Sequence, residues 1–362
     1  MSMFCCTSSS PQGAFAGLKN PGLVRCHLNV CVQALHKTPE FRDGLMELHV
    51  TDKAVPTELR NLFAKLDASG RALSTDPLIK ALGWDIGSLE QQDANDTWLS
   101  LHDRLEKDLA KNTVRPKLVQ ELFEGRQTVR ITCDECGAVS DTVEATSSLS
   151  LPVAELHGSE AEPVGVHAAL RARVAAERLT GDEQFQCDKC NGKHDATRET
   201  LITSLPPVLC FHLTRFKVKK QSDGAVELER TNHAFQFEET LTLDEFLQPP
   251  ASPSSEANDD HTSVAPSAVY DLYAIIVHHG MSPNEGHYWS LIRDLSSTSE
   301  TEGEWFEFND ERCLPMRRAR RAETVGGGSR RDTSAYMLLY RRRSAGSSAP
   351  APTAAPDEDP KE

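Results

Sequence analysis

Two cysteines, Cys26 and Cys31, lie five residues apart in the stretch GLKNPGLVRCHLNVCVQALHKTPEF (residues 17–41), and either thiol could act as a nucleophile. The pattern of apolar residues predicts a helix that begins at Cys26. Residues at the spacing of one buried helical face are Leu28, Cys31, Val32 and Leu35. Cys31 is therefore predicted to be a core residue.

Cys26 is predicted to lie on a different face, which it shares with Asn29, in the first turn of this helix. Unpaired N–H groups and the positive end of the helix dipole favour a thiolate at that position. Gly17 and Gly22 precede it and permit the backbone to approach a substrate closely. These features predict a nucleophile at Cys26; the alternative is an ordinary thiol.

A cysteine nucleophile needs a histidine and usually a third group that orients the histidine. The segment 284–310 (NEGHYWSLIRDLSSTSETEGEWFEFND) predicts a hairpin with strands over 287–294 and 304–309. A loop centred near 298 would place His287 opposite Asn309, so that the asparagine carbonyl accepts an imidazole N–H. The alternative is that His287 merely ends a strand and Asn309 begins a turn.

Two C-x2-C pairs, CDEC (133–136) and CDKC (187–190), could together supply the four thiolates of a tetrahedral zinc. The ligands would be Cys133, Cys136, Cys187 and Cys190. Four thiolates leave no position for water, so the site would be structural rather than catalytic. Chance arrangement or two disulfides are the alternatives.

The order of the predicted elements is that of an α+β protein. Residues 26–110 are predicted to be mostly helical, β-like runs begin near Thr128, and one helical stretch at 167–179 interrupts them. Residues 1–16 and 343–362 are predicted to be disordered. Low-complexity segments at 249–267 and 325–331 are predicted to be an insertion between strands and a flexible loop, respectively.

Composition limits the classes of function. The chain has 362 residues, a net charge of −15, and no apolar run long enough to span a membrane. We expect no nucleic-acid partner, no membrane association and a monomer that prefers basic partners. Ten cysteines without a secretory signal favour a cytoplasmic or nuclear location. The segment RRARR (317–321) could be a nuclear import signal or a solvated loop.

Several stretches resemble motifs of the ubiquitin-specific protease family, which are papain-like thiol hydrolases. GLKNPGLVRCHLNVCVQ resembles the family's Cys box, and YAIIVHHG, GHY, WFEFND and AYMLLY resemble parts of its His box. LEQQDANDTWLSLHDRLE resembles the Gln-Gln-Asp box, and LPPVLCFHLTRF resembles the Leu-x-Arg-Phe strand. The resemblance extends over residues 17–342, with the motifs in family order.

The resemblance implies a papain-like cysteine peptidase domain over 17–342, with a helical thumb (17–115) and a β palm with zinc-bearing β fingers (116–342). It implies Cys26 as nucleophile, His287 as base and Asn309 as the orienting residue. It also implies Asn20 as the side-chain donor to the oxyanion, with Asp310 assisting. No organic cofactor is implied.

The substrate implied by the resemblance is ubiquitin attached to other proteins. Asp93 and Asp96 are three residues apart in a predicted helix, so both carboxylates would lie on one face; the alternative is a solvated surface. The resemblance implies that these acids hold the arginine-containing tail of ubiquitin. His278 and Tyr288 match positions that line the cleft around the terminal Gly-Gly.

One departure from the family pattern lies directly before the nucleophile. Three residues, Leu-Val-Arg, separate Gly22 from Cys26, where the family has two. Since an added residue must bulge the loop that carries Asn20, the alternative function is a catalytically impaired ubiquitin-binding pseudo-hydrolase. A further alternative is a metal-dependent hydrolase that uses His278, His279 and His287.

Overall fold

The computed structural model of the chain describes nine ranges of residues. These are residues 15–48, 54–111, 114–153, 164–220, 226–231, 233–248, 267–295, 304–316 and 332–344. Residues 1–14 and 345–362 of the predicted disordered ends, all of the 249–267 insertion except Ser267, and the segments 317–321 and 325–331 lie outside these ranges. The inner residues of both predicted ends are ordered, since Ala16 is buried and Arg343 donates to the Asp271 carboxylate at 2.9 Å.

Helices dominate the first part of the described chain. They are α1 (Cys26–His36), α2 (Pro39–Met46), α3 (Val55–Ala68), α4 (Asp76–Leu82), α5 (Ala94–Leu109), α6 (Leu118–Phe123) and α7 (Val166–Val174). The sequence near several helix N-termini explains where these helices begin. A proline occupies the first turn of α2, α3 and α4, and the Asp93 carboxylate caps the N-terminus of α5.

Strands make up most of the chain after α6. They are β1 (Gly125–Cys133), β2 (Val139–Thr146), β3 (Leu149–Pro152), β4 (Val164–Gly165), β5 (Glu177–Leu179), β6 (Phe185–Cys187), β7 (Gly192–His194), β8 (Ala196–Ser204), β9 (Val208–Thr214), β10 (Phe216–Lys220), β11 (Val226–Arg230), β12 (Phe235–Gln236), β13 (Thr240–Thr242), β14 (Val269–His279), β15 (His287–Arg293), β16 (Trp305–Asn309), β17 (Arg312–Met316) and β18 (Thr333–Arg342).

The largest sheet has the strand order β17-β16-β15-β14-β18-β9-β3, with β13 paired to β14. Its pairings are antiparallel except that between β3 and β9. A second, four-stranded sheet has the order β2-β1-β8-β5, and β6 and β7 form a separate hairpin. The helices-first order and the antiparallel sheets confirm the α+β prediction.

The large sheet is covered on both faces. Ala274 and Ile276 of β14 belong to a core shared with the helices α1 to α6, whereas Ile275 and Val277 belong to a second core that includes α7. This alternation follows from the two-residue period of a strand. Helix α1 packs directly against β15 and α5, which brings the predicted nucleophile and the predicted hairpin together.

The predicted helix over 167–179 is too long. Helix α7 ends at Val174, and residues Glu177–Leu179 form the edge strand β5, which pairs with β8. An alanine- and arginine-rich sequence favours a helix locally, but pairing with a neighbouring strand overrides that preference. Among the described residues, no helix is both long and apolar enough to cross a membrane.

Candidate active site

Cys26 is the first residue of α1, as predicted, and its side chain is fully buried. The backbone N–H groups of Tyr288 and His27 act to lower the pKa of its thiol. Burial is the larger effect, and together with the charge of Asp310 it raises the pKa of the thiol to about 11. The expected thiolate is therefore not the state of the free protein, because burial outweighs the helix start.

His287 begins β15 and forms the predicted hydrogen bond. Its Nε2 lies 2.8 Å from the Asn309 Oδ1, and since a carbonyl oxygen only accepts, the ring donates from Nε2. Nδ1 is then left to exchange a proton. Strand β15, which His287 begins, packs against α1, which Cys26 begins, so the hairpin lies beside the predicted nucleophile.

The predicted register of this hairpin is wrong by two residues. Ser290 pairs with Phe308 and Arg293 with Trp305, so continuation of this register places Asn309 opposite Trp289 rather than His287. The hydrogen bond between His287 and Asn309 is therefore diagonal across the pair, a separation that long side chains can bridge.

Asp310 joins the cysteine helix to the end of β16. Its carboxylate accepts hydrogen bonds from the Asn20 Nδ2 at 2.9 Å and the Asn29 Nδ2 at 2.8 Å, and one oxygen lies 3.9 Å from the His287 Nε2. Its carbonyl accepts from the N–H of Leu18 at 2.8 Å. A Cβ at Gly17 would lie only 2.4 Å from that carbonyl oxygen, so glycine is required there.

The extra residue before the nucleophile is taken up by an exposed turn. Residues Pro21–Leu23 form a 3-10 turn in which Gly22 (φ +74°) and Leu23 (φ +59°) are left-handed, and Leu23 is 69% exposed. The N–H of Arg25 donates to the Asn20 Oδ1 at 2.7 Å. The bulge thus points outward, and Asn20 stays fixed between Arg25 and Asp310.

The two acids predicted to share one helical face are in different environments. Asp93 precedes α5, where its carboxylate accepts from the N–H groups of Asn95 and Asp96 and from the hydroxyl of Tyr336. It is buried, and burial raises its pKa. Only Asp96 is exposed. The prediction that both acids lie within the helix is wrong, because Asp93 is its N-cap and α5 begins at Ala94.

Asp96 lines a cavity of about 350 Å³ beside the start of α5. Burial, followed by the charge of Asp93, raises the pKa of Asp96. The other lining residues include Trp84 and two further acids, Asp85 and Glu90. An acidic cavity with an aromatic wall suits a cationic side chain.

His278 and Tyr288, which were predicted to line the cleft, are both fully buried. The ring nitrogens of His278 contact Arg230 and the carbonyl of Glu285, and the Tyr288 hydroxyl donates to the carbonyl of Pro283 at 2.8 Å. The two rings pack 4.4 Å apart. In this state they form the interior wall of the site, and their contact with a substrate stays a prediction.

The four cysteines of the C-x2-C pairs converge, although they are far apart in sequence. Their sulfurs all lie within 4.8 Å of one another, with 3.9 Å between Cys133 and Cys190 and 3.7 Å between Cys136 and Cys187. Zinc–sulfur bonds of about 2.3 Å in a tetrahedron separate the sulfurs by about 3.8 Å. The cluster therefore fits a metal ion, whereas a disulfide would need about 2 Å.

Among the described residues, these cysteines are the one group of three or more side chains that could hold a metal. His279 instead contacts the Thr333 hydroxyl at 2.9 Å, and His287 contacts Asn309. The described residues therefore give no support to the alternative of a metal-dependent hydrolase built on His278, His279 and His287.

The ubiquitin carboxyl-terminal hydrolase family model matches residues 16–340, which include every site residue discussed above. The chain belongs to this family. Among curated proteins it is 29% identical over 403 residues to ubiquitin carboxyl-terminal hydrolase 47 of Drosophila melanogaster, which covers 92% of this chain and 25% of that protein. This membership confirms the resemblance found in the sequence.

Two proteins from Arabidopsis thaliana with names of the same family are also similar to this chain. Ubiquitin C-terminal hydrolase 12 is 29% identical over 364 residues, covering 93% of this chain and 30% of that protein. Ubiquitin carboxyl-terminal hydrolase 26 is 32% identical over 304 residues, covering 82% of this chain and 26% of that protein. The chain thus spans about a quarter to a third of the length of these members of the family.

Sequence reasoning missed three residues that support this family's site in the present chain. Asn29 holds Asp310, Tyr336 holds Asp93, and Arg230 holds His278. Asn29 could have been found, since it was placed on the same helical face as Cys26. Arg230 and Tyr336 gave no local signal because their partners are distant in sequence.

Proposed function

We propose that this chain is a thiol-dependent deubiquitinating hydrolase that cleaves the peptide or isopeptide bond after the C-terminal glycine of ubiquitin. The observation that carries the proposal is the convergence of Cys26 and the β15–β16 hairpin: helix α1, which begins at Cys26, packs against β15, where His287 is oriented by Asn309. Family membership supplies the substrate class.

The proposed reaction proceeds through a thioester. As the Cys26 sulfur attacks the glycine carbonyl, its proton passes to the Nδ1 of His287, and the imidazolium then protonates the leaving amine as the C–N bond breaks. Water, deprotonated by His287, then attacks the thioester and releases the glycine carboxylate together with the Cys26 thiol. The neutral thiol of the free protein fits this sequence, because the proton is removed only during attack.

The surrounding residues are assigned to positioning and binding. Asn20 has one side-chain N–H committed to Asp310, and its second N–H is proposed to stabilise the oxyanion. Asp96 and Asp93 are proposed to hold the cationic tail of ubiquitin. His278 and Tyr288 are proposed to line the passage for the terminal glycines.

The proposed architecture is that of a papain-like peptidase. The helices over 17–115 would form a thumb, the large sheet a palm, and the four-stranded sheet with the cysteine cluster the fingers. Ubiquitin and its conjugates are the proposed partners of a monomer located in the cytoplasm, the nucleus or both.

The test uses ubiquitin with a fluorogenic C-terminal leaving group and ubiquitin with a C-terminal electrophile. We expect turnover by the wild type, none by Cys26→Ala, and covalent labelling at Cys26 alone. Cys31→Ala is the matched control and should retain both activities. A folded wild-type protein that neither turns over nor labels would overturn the proposal.

The second candidate is a ubiquitin-binding pseudo-hydrolase. The extra residue before Cys26 and the left-handed Leu23 in the enlarged turn favour it. It predicts that ubiquitin binds with equal affinity to the wild type and to Cys26→Ala while neither protein turns over substrate.

Zinc is proposed as the metal held by Cys133, Cys136, Cys187 and Cys190. Its role would be structural, holding the end of β1 against the β6–β7 hairpin. We expect metal analysis of the wild type to find one zinc per chain and that of Cys136→Ser to find a large loss. Cys31→Ala should keep its zinc, and equal zinc in Cys136→Ser and the wild type would contradict the assignment.

A further inference from the structure

A buried guanidinium lies behind the hairpin that carries His287. Arg230, the last residue of β11, is 7% exposed and donates to three strands or loops at once. Its Nη1 contacts the Nδ1 of His278 at 2.8 Å and the carbonyl of Gly280, and its Nη2 contacts the Ser334 hydroxyl at 2.7 Å. Arg230 therefore ties β11 to β14 and β18.

This contact fixes the tautomer of His278. A guanidinium only donates, so the Nδ1 of His278 must accept and the ring must be neutral with its hydrogen on Nε2. The Nε2 lies 3.0 Å from the carbonyl of Glu285, to which it can then donate. Burial, followed by repulsion from the charge of Arg230, lowers the pKa of His278 to about 4, in agreement with a neutral ring.

The carbonyl of Glu285 belongs to the loop that leads into His287. This loop, residues 280–286, connects β14 to β15, and the register pairs His279 with His287 across its base. Gly286, the residue between Glu285 and His287, has φ +105°. The hydrogen bond from His278 therefore holds the chain two residues before the proposed base.

We propose that Arg230 is a positioning residue that fixes the His278 tautomer, and that His278 thereby anchors the 280–286 loop and sets the position of His287. The proposal rests on the proposed function for the role of His287. Arginine is suited to this task because its planar fork reaches His278 and Ser334 with different nitrogens. A lysine presents a single nitrogen and would satisfy only part of the network.

The experiment compares the wild type with Arg230→Met and Arg230→Lys, using ubiquitin that carries a fluorogenic leaving group. We expect Arg230→Met to lower kcat about tenfold to a hundredfold, because a small displacement of the base is costly, while KM changes less than about threefold. Arg230→Lys should recover part of kcat. The matched control is Arg173→Met, since the hydrogen bonds that Arg173 makes within the described ranges go to Ser150 and Gln127, outside this hairpin, and its loss should leave kcat unchanged.

The second measurement does not depend on activity. Nitrogen-15 NMR of the histidine rings should show His278 with hydrogen on Nε2 in the wild type and a tautomer mixture in Arg230→Met, while Arg173→Met matches the wild type. If Arg230→Met does not fold, both measurements are made on Arg230→Lys, where an intermediate kcat and a partial tautomer change are expected.

The outcomes separate this inference from the proposed function. An unchanged His278 tautomer in Arg230→Met would overturn the positioning role even if the protein does not hydrolyse ubiquitin. If it does, a wild-type kcat in Arg230→Met would also overturn that role. An inactive wild type in which the tautomer still changes on substitution would overturn the proposed function and leave the Arg230–His278 link supported.

Discussion

The sulfur of Cys26 is subject to two opposing influences in the free protein. The backbone N–H groups of Tyr288 and His27 favour the thiolate, and full burial disfavours it. Burial is the larger influence, so the pKa is raised to about 11. The proposed nucleophile is thus a neutral thiol in the free protein, and its proposed activation depends on a base that takes the proton during attack.

The reactivity of Cys26 toward a small alkylating reagent should therefore rise steeply with pH. Below a pKa of about 11 the thiolate fraction grows about tenfold per pH unit, so between pH 7 and pH 9 the alkylation rate should increase about a hundredfold. Mass spectrometry of the Cys26 peptide after iodoacetamide treatment measures this rate. A rate that is fast and flat from pH 6 to pH 9 would instead indicate a preformed thiolate–imidazolium pair.

The sequence predicted site residues that belong to local patterns and missed those whose contacts are with residues distant in sequence. Cys26 was found from a helical pattern and His287 with Asn309 from a hairpin pattern, both of which are local. Arg230 holds His278 across a sequence separation of 48 residues, and no local pattern connects them. Burial likewise decided the ionisation of Cys26, and burial depends on the whole fold.

At the scale of elements, the hairpin β15–β16 shows how a strand prediction can succeed while its register fails. The strands begin and end close to the predicted residues, but the assumed loop centre shifts the pairing by two positions. A shift of two keeps every side chain on its original face. His287 and Asn309 therefore stay on one face, and the predicted hydrogen bond forms despite the wrong register.

The loop that leads into β15 allows a test of the strand that carries the proposed base, His287. Gly286 has φ +105°, and a Cβ there would lie 1.9 Å from the carbonyl oxygen of His279. We expect Gly286→Ala to lower the free energy of unfolding by about 2 kcal/mol or more. We also expect the molecules that remain folded to have a kcat at least about tenfold lower than the wild type. Thermal unfolding and steady-state kinetics measure the two effects.

The control for this substitution is Gly87→Ala. A Cβ at Gly87 would meet only side-chain atoms of Asp85, at 3.5 Å or more, so stability and turnover should stay close to those of the wild type. Wild-type kinetics in Gly286→Ala would mean that the entry into β15 does not position His287.

At the scale of the molecule, the α+β order was predictable because helical and strand patterns occupy separate parts of the chain. The convergence of the two C-x2-C pairs was predictable from ligand spacing alone, since a tetrahedral metal site requires it. The predicted helix over 167–179 was too long because the end of α7 is set by pairing of β5 with β8, which a local pattern does not contain.

Buried histidines give the whole molecule a distinct response to acid. Burial lowers the pKa of His27 and of His278 to about 4 and that of His102 to about 3. Their ordinary value is 6.5, so at intermediate pH the unfolded chain binds protons that the folded chain does not. Their effect on stability is absent above about pH 6.5, and destabilisation grows as the pH falls toward 4.

His102 offers the cleanest test of this acid sensitivity. It packs between Trp98 and Phe123, and neither ring nitrogen has a hydrogen-bond partner among the described residues. At pH 5.5 its unfavourable proton linkage should cost about 1 kcal/mol, and His102→Leu should remove that cost together with two unsatisfied polar atoms. The free energy of unfolding of His102→Leu should therefore fall less between pH 7.5 and pH 5.5 than that of the wild type.

Denaturant titrations at the two pH values measure this difference, with His194→Leu as the control because His194 is only partly buried. The control should lose as much stability as the wild type. An identical loss in His102→Leu would mean that His102 accepts a proton in the folded state, which would require water or a rearranged core to reach its ring. The acid response would then belong to other groups, and His102 would be tolerated in either protonation state.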